Sequence, residues 1–138
     1  MTVQLRRADY DAIVAHAVRC LPNEACGVIG GRVEGETKVI EKVYPLDNPD
    51  QSPEHFSIDP KSQLAAVKDM RALGLSPLGN FHSHPSTPAR PSAEDIRLAY
   101  NPNDSYLILS LAEESPVLKS FRIAHGEASP EPVCVLRV

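Results

Sequence analysis

The sequence predicts a mixed α+β fold, α/β in the broad sense, with helices packed against a sheet. Three observations point there. Stretches with helical apolar spacing alternate with short apolar runs of strand length. Their order, a first helix, a hairpin, a helix, a strand, a helix and three more strands, is that of a layered fold with both element types. The 138 residues, 42% hydrophobic, suffice for one real core, and no repeat, low-complexity tract or linker divides them. One domain over 1–138 is expected.

The first helix carries the clearest period. Tyr10, Ile13, Val14, Ala17, Val18 and Leu21 form an i, i+3, i+4, i+7 stripe that Pro22 stops. His16 lies off the stripe and is expected in solvent. Cys26 to Arg32 reads as a strand, Glu34-Gly35-Glu36 as a turn, and Thr37 to Tyr44 as the returning strand of a hairpin. Leu46 to Pro53 is polar loop, and Glu54 to Ile58 a brief edge strand. Asp59-Pro60 is a helix start, with a carboxylate cap and proline at the first helical position. Leu64, Val67, Met70 and Leu73 give that helix its buried face, and Gly74 suits its C-terminal end.

Leu78 to His84 is an apolar strand, and Ser86 to Pro91 an exposed loop. A helix from about Ser92 to Tyr100 is expected to bury Ile96, Ala99 and Tyr100. Strands follow over Tyr106 to Leu111, Val117 to Ile123 and Pro132 to Val138. The formal net charge of −4 gives no basic footprint for nucleic acid or anionic membranes. No apolar run reaches the ~20 residues of a membrane span. The N-terminal residues lead into Asp9 and Asp11 rather than a signal-peptide core, so a cytoplasmic protein is expected. Cys20, Cys26 and Cys134 lack C-x-x-C spacing and read as buried or half-buried free thiols.

Chemistry concentrates at one place. His82 and His84 are two positions apart at a strand end, so their imidazoles project to one face and can converge on a metal ion. Asp95 follows His84 by eleven residues, within reach of the strand end across the Pro-rich loop. Two imidazoles and a carboxylate leave a fourth tetrahedral position for water, as a catalytic zinc requires. Ser92-Ala93-Glu94-Asp95 also fits a helix N-cap with an acidic partner three residues on. That role does not compete with the first, because a helix start holds a carboxylate rigidly. H-E-x-x-H and the P-C-x-x-C of zinc deaminases are absent.

His82-Ser83-His84-Pro85, seven intervening residues, then Ser92-x-x-Asp95 resembles the JAMM motif of MPN-domain metallopeptidases. Glu24, in Pro22-Asn23-Glu24-Ala25-Cys26-Gly27, matches that family's upstream glutamate. The resemblance implies a JAMM/MPN-like domain with a mixed curved sheet flanked by helices. It implies one Zn2+ ion held by His82, His84 and Asp95, with Glu24 as general base and then acid, and Ser92 stabilising the oxyanion. Ser83, of opposite parity, should point away from the metal; His55 and His125 read as surface or loop residues and Cys26 as packed beneath the site.

The length, the N-E-A-C-G, S-P-E-H-F-S-I-D and F-R-I segments are similar to the compact bacterial branch of this family. That branch includes peptidases acting on small ubiquitin-like sulfur-carrier proteins. The implied partner is such a carrier with a Gly-Gly-type C-terminal tail, and the implied reaction is hydrolysis of a peptide or isopeptide bond at that tail. Two alternatives remain. A non-catalytic MPN scaffold would be expected to have lost ligands. A DNA-associated member similar to the RadC group would be expected to show basic charge and a further DNA-binding domain.

Overall fold

A strand covered on both faces must be apolar or small throughout, and Cys26 to Gly31 is buried at every position in the computed structural model, which describes residues 1–137. This segment opens β2 (Cys26–Glu34), which pairs antiparallel with β3 (Thr37–Leu46) on one side and β4 (Ser76–His84) on the other. Beyond β4 come parallel β5 (Ser105–Ser110), antiparallel β6 (Val117–Ala124) and antiparallel β7 (Glu127–Glu131). Beyond β3 come β1 (Thr2–Arg6) and β8 (Val133–Leu136), joined in parallel. The eight-stranded order is β7-β6-β5-β4-β2-β3-β1-β8, mixed as expected, and it curls until β6 touches β8.

The helices divide between the two faces. α1 (Arg7–Cys20) covers Ile29, Ile40, Phe81 and Leu107 with Ile13 and Ala17. α2 (Pro60–Ala72) covers Val28 with Ala66 and Met70 on the opposite face. α3 (Ala93–Leu98) lies in the crossover between the parallel strands β4 and β5. The ends of α2 follow the sequence reading. The Asp59 carboxylate accepts from the Ser62 N–H at 3.2 Å, Pro60 opens the helix, and Gly74 at φ 74° closes it. There the Leu75 N–H reaches the Met70 carbonyl and the Gly74 N–H the Arg71 carbonyl, satisfying two terminal acceptors. Among the described residues no helix is long and apolar enough to cross a membrane.

Several expectations are corrected. His16 is buried, only 8% exposed, because its Nε2–H is shared between the Cys26 and Leu46 carbonyls at 3.0 Å each. The C-terminal end of the α1 stripe instead leaves the sheet, exposing Val18 and Leu21. Leu64 on α2 and Leu73 just past its end are exposed, and the buried positions of α2 are Ala66 and Met70. α3 stops at Leu98 with no fully buried residue, and Tyr100 is 90% exposed. Cys134 is exposed. Glu54 to Ile58 pairs with no strand. β1 and β7 were not expected: the first is five residues running straight into α1, and the second contains Pro130, which an edge strand tolerates. The expected strand Pro132 to Val138 is seen as Val133–Leu136; Val138 lies outside the described residues.

Gly79 shows how closely β4 and β5 approach. It has φ 152°, and a Cβ there would lie 1.9 Å from the Ser105 carbonyl oxygen. Gly79→Ala is expected to cost about 3 kcal/mol or more, since backbone must move on either strand. Chemical denaturation of the variant against wild type measures this; a change within 0.5 kcal/mol would show that the strands part freely, on the scale typical of about neutral surface substitutions.

Candidate metal centre

The pleat of β4 divides its side chains. Phe81 and Ser83 point into the α1 face, while Asn80, His82 and His84 point to the face carrying α2 and α3. Ser83 accordingly points away from His82 and His84, as expected. Its buried hydroxyl accepts from the Ala25 N–H at 2.8 Å, and the Ser83 N–H donates back to the Ala25 carbonyl. β4 thereby grips the chain one residue after Glu24.

His82 and His84 are both buried, with their Nε2 atoms 3.1 Å apart. The Asp95 Oδ2 lies 3.2 Å from the first and 3.3 Å from the second. That same oxygen accepts from the Ser92 N–H at 2.9 Å, while the Ser92 Oγ accepts from the Asp95 N–H at 3.0 Å. The two readings of this segment are therefore one structure: the capping box of α3 holds the carboxylate oxygen against both imidazoles. Because Ser92 Oγ serves there as an acceptor, its O–H hydrogen is left for donation.

Second partners orient the rings. The Nδ1–H of His84 donates to the Pro88 carbonyl at 2.8 Å, which leaves its Nε2 lone pair directed at Asp95 and His82. The loop over Ser86 to Pro91, expected to be merely exposed, is anchored here, with Ala89 buried and Thr87 accepting from Ser110. His82 has Phe56 stacked on it, ring centroids 4.5 Å apart, and its buried Nδ1 has no partner among the described residues.

Glu24 is only 5% exposed. Its N–H donates to the Ser52 carbonyl, and its own carbonyl accepts from the Asn48 side chain at 3.1 Å. Burial pushes its carboxyl up to about 7, with His84 opposing and Asp95 reinforcing that shift. Burial also disfavours charge on Asp95, but the two imidazoles and the Ser92 N–H outweigh it and hold the carboxyl far below the usual range. Burial lowers His82. On His84 the same burial is outweighed by Asp95 and Pro88, and the ring is raised.

Asn48, and the stacking of Phe56 on His82, are features of the site that sequence reasoning passed over. Asn48 donates to Glu24 and His55 and accepts from Asp50 and Ser57, so one side chain shapes the whole 48–57 segment. An Asn two residues before Asp50 in a Pro-bearing loop is the sequence signal for such a turn. His55 lies at the surface, as expected, where its ring bonds Glu94 at 2.9 Å and is raised by it. His125 sits in the turn between β6 and β7 at φ 54°. Cys26 lies buried beneath Asp47 and Ser57, its thiol pushed up to about 12 by burial.

A sheet of this topology with histidines at the end of β4 and a carboxylate at the start of α3 defines a class. The chain belongs to the prokaryotic homologs of the JAB domain, whose family model matches residues 6–124. It is 38% identical over 132 residues to the CysO-cysteine peptidase of Mycobacterium tuberculosis, covering 94% of this chain and 89% of that protein. It is 30% identical over 105 residues to the desampylase of Haloferax volcanii, covering 72% and 74%. A solution structure of a protein from Desulfitobacterium hafniense superposes with a TM-score of 0.91 at 55% identity, covering 99% of this chain and 94% of that one.

Proposed function

We propose that residues 1–138 form one JAMM-type zinc metallopeptidase domain that hydrolyses a peptide or isopeptide bond at the C-terminal tail of a small ubiquitin-like sulfur carrier. The observation that carries this is the convergence of two Nε2 atoms and one carboxylate oxygen within 3.3 Å of one another. Two imidazole nitrogens and a carboxylate oxygen gathered in one buried place are a donor set that zinc takes. Nitrogens bound to one tetrahedral zinc at ~2.05 Å stand about 3.3 Å apart, close to the spacing here.

His82, His84 and Asp95 would hold the ion. Zinc, when bound, brings the pKa of a coordinated water towards ~7 and polarises the scissile carbonyl. Glu24 takes the proton of the attacking water and passes it to the leaving amine, as general base and then acid. A carboxyl raised by burial is suited to both roles near neutral pH. The Ser92 hydroxyl, held at the helix start by the Asp95 N–H, donates to the tetrahedral oxyanion. The CysO-cysteine peptidase and the desampylase support a carrier-tail substrate by their names, and the proposed setting is the cytoplasm. A scaffold that only binds partners would not need the ligands, Glu24 and Ser92 together.

The test is cleavage of a Gly-Gly-tailed carrier bearing an amino-acid or lysine adduct, followed by intact mass. Zinc-loaded protein should release the adduct, and chelation should stop it with the fold intact by circular dichroism. Stoichiometric zinc with no cleavage of either adduct would sink the substrate assignment; failure to bind zinc would sink the mechanism. Ser92→Ala is expected to lower turnover by about 100- to 1000-fold. It should also cost about 1 kcal/mol of stability through the lost cap. Single-turnover kinetics on folded variant separates the two, and unchanged turnover would remove Ser92 from the reaction.

A further inference from the structure

Glu24 lies between α1 and β2, in neither helix nor strand. Its carboxyl is electrostatically coupled to His84 and Asp95 but hydrogen-bonds to nothing among the described residues. Its place therefore follows from how its backbone is held. The peptide unit after Glu24 is trans and is gripped at both edges. The Ala25 N–H donates to the Ser83 Oγ on β4 at 2.8 Å, and the Glu24 carbonyl accepts from the Asn48 Nδ2 at 3.1 Å. These two groups point in opposite directions from one plane, so Ser83 and Asn48 together fix its rotation. A rotation of that plane would swing the Glu24 side chain with it.

Asn48 is buried, and its carboxamide is fully used. The Nδ2 also donates to the His55 carbonyl at 2.8 Å, and the Oδ1 accepts from the N–H groups of Asp50 and Ser57 at 3.1 and 3.3 Å. His55 and Ser57 flank Phe56, whose ring is stacked on His82. One carboxamide thus joins the peptide of Glu24 to the segment that lies against His82. The bond set demands this residue: aspartate has the shape but no N–H donors, and glutamine is one methylene too long.

We infer that Asn48 is a positioning residue: it orients the peptide plane after Glu24 and so sets the Glu24 carboxyl relative to His82, His84 and Asp95. The inference rests on the reaction proposed above, with Glu24 as its general base. Displacing a reacting group by about 1 Å costs on the order of 100-fold in rate, so a residue that never touches substrate can govern turnover.

The test is a double-mutant cycle of Asn48→Ala and Glu24→Gln, read as kcat and KM on the carrier adduct, with zinc content and melting temperature measured beside them. Glu24→Gln keeps the carbonyl that Asn48 meets and removes only the carboxyl. Asn48→Ala is expected to lower kcat by about 10- to 100-fold, with KM within about 3-fold and zinc retained. In the Glu24→Gln background the same change should cost less than about 3-fold, because the group that it positions is gone. A purely structural loss would appear equally in both backgrounds. If Asn48→Ala melts below the assay temperature, Asn48→Ser supplies the same cycle. Equal losses in the two backgrounds, an unchanged kcat or a fall in zinc content would each overturn the assignment and leave the peptidase reading intact. No cleavage by zinc-loaded wild type would overturn that reading, and this inference with it.

Discussion

Glu24→Gln should retain zinc and fold while losing about 10²- to 10⁴-fold in turnover, the range for removing a general acid–base group. The substitution keeps the shape and the backbone bonds to Ser52 and Asn48, neither of which uses the carboxyl. It removes only the group that can carry a proton from water to the leaving amine. Zinc content by mass spectrometry of the native protein and single-turnover kinetics check this together. Turnover within a few-fold of wild type would mean that another base serves.

The same substitution has a second, opposite effect on the metal-free protein. The Glu24 carboxyl is raised from its ordinary value to about 7, chiefly by burial. A carboxyl with a raised folded pKa contributes fully below its unfolded value, and that contribution is lost as pH rises through the folded one. Metal-free wild type should therefore lose stability relative to Glu24→Gln between about pH 4.5 and 7, by about 1–3 kcal/mol. Denaturation of both proteins under chelation at pH 5 and pH 8 gives the comparison. A gap that does not widen with pH would mean that Glu24 is well solvated. The buried base would thus weaken the fold in the absence of metal.

Asp95→Ala is expected to abolish turnover and to weaken zinc binding severely, because one oxygen serves both as ligand and as helix cap. Its loss removes the acceptor of the Ser92 N–H as well as the carboxylate facing His82 and His84. Zinc at a hundredfold excess over Kd should stabilise wild type by about 2.7 kcal/mol, and the variant far less. Thermal melts with and without zinc measure the difference. An equal zinc-induced shift in both proteins would exclude Asp95 as a ligand. His82→Ala provides the control that removes a ligand while leaving the α3 cap in place.

The local devices were open to sequence reasoning because their causes are local. Asp59-Pro60 and Gly74 bound α2 through their own backbone chemistry, and the capping box of α3 follows from Ser92 and Asp95 standing three apart. The parity of β4 sends His82 and His84 to one face and Ser83 to the other whatever the strand packs against. What failed were judgements of which side meets the core. His16 lies off the apolar stripe, yet two carbonyls from the hairpin bury it; Leu64, Leu73 and Tyr100 are apolar or aromatic, yet lie beyond the reach of the curled sheet.

By itself, then, the sequence determined most of the elements, the caps of α2 and α3, and His82, His84 and Asp95 as groups that meet at the end of β4. Only the tertiary structure decided how far those groups are withdrawn from water and what supports them. Glu24 is separated from His82 by more than fifty residues; its carboxyl is raised by burial, in a place where the 48–57 segment holds its backbone and β4 holds that of Ala25 beside it. Phe56 reaches His82 by stacking, a contact with no sequence periodicity. Burial and the field at a site are sums over neighbours in space, whereas propensity and capping are sums over neighbours in chain.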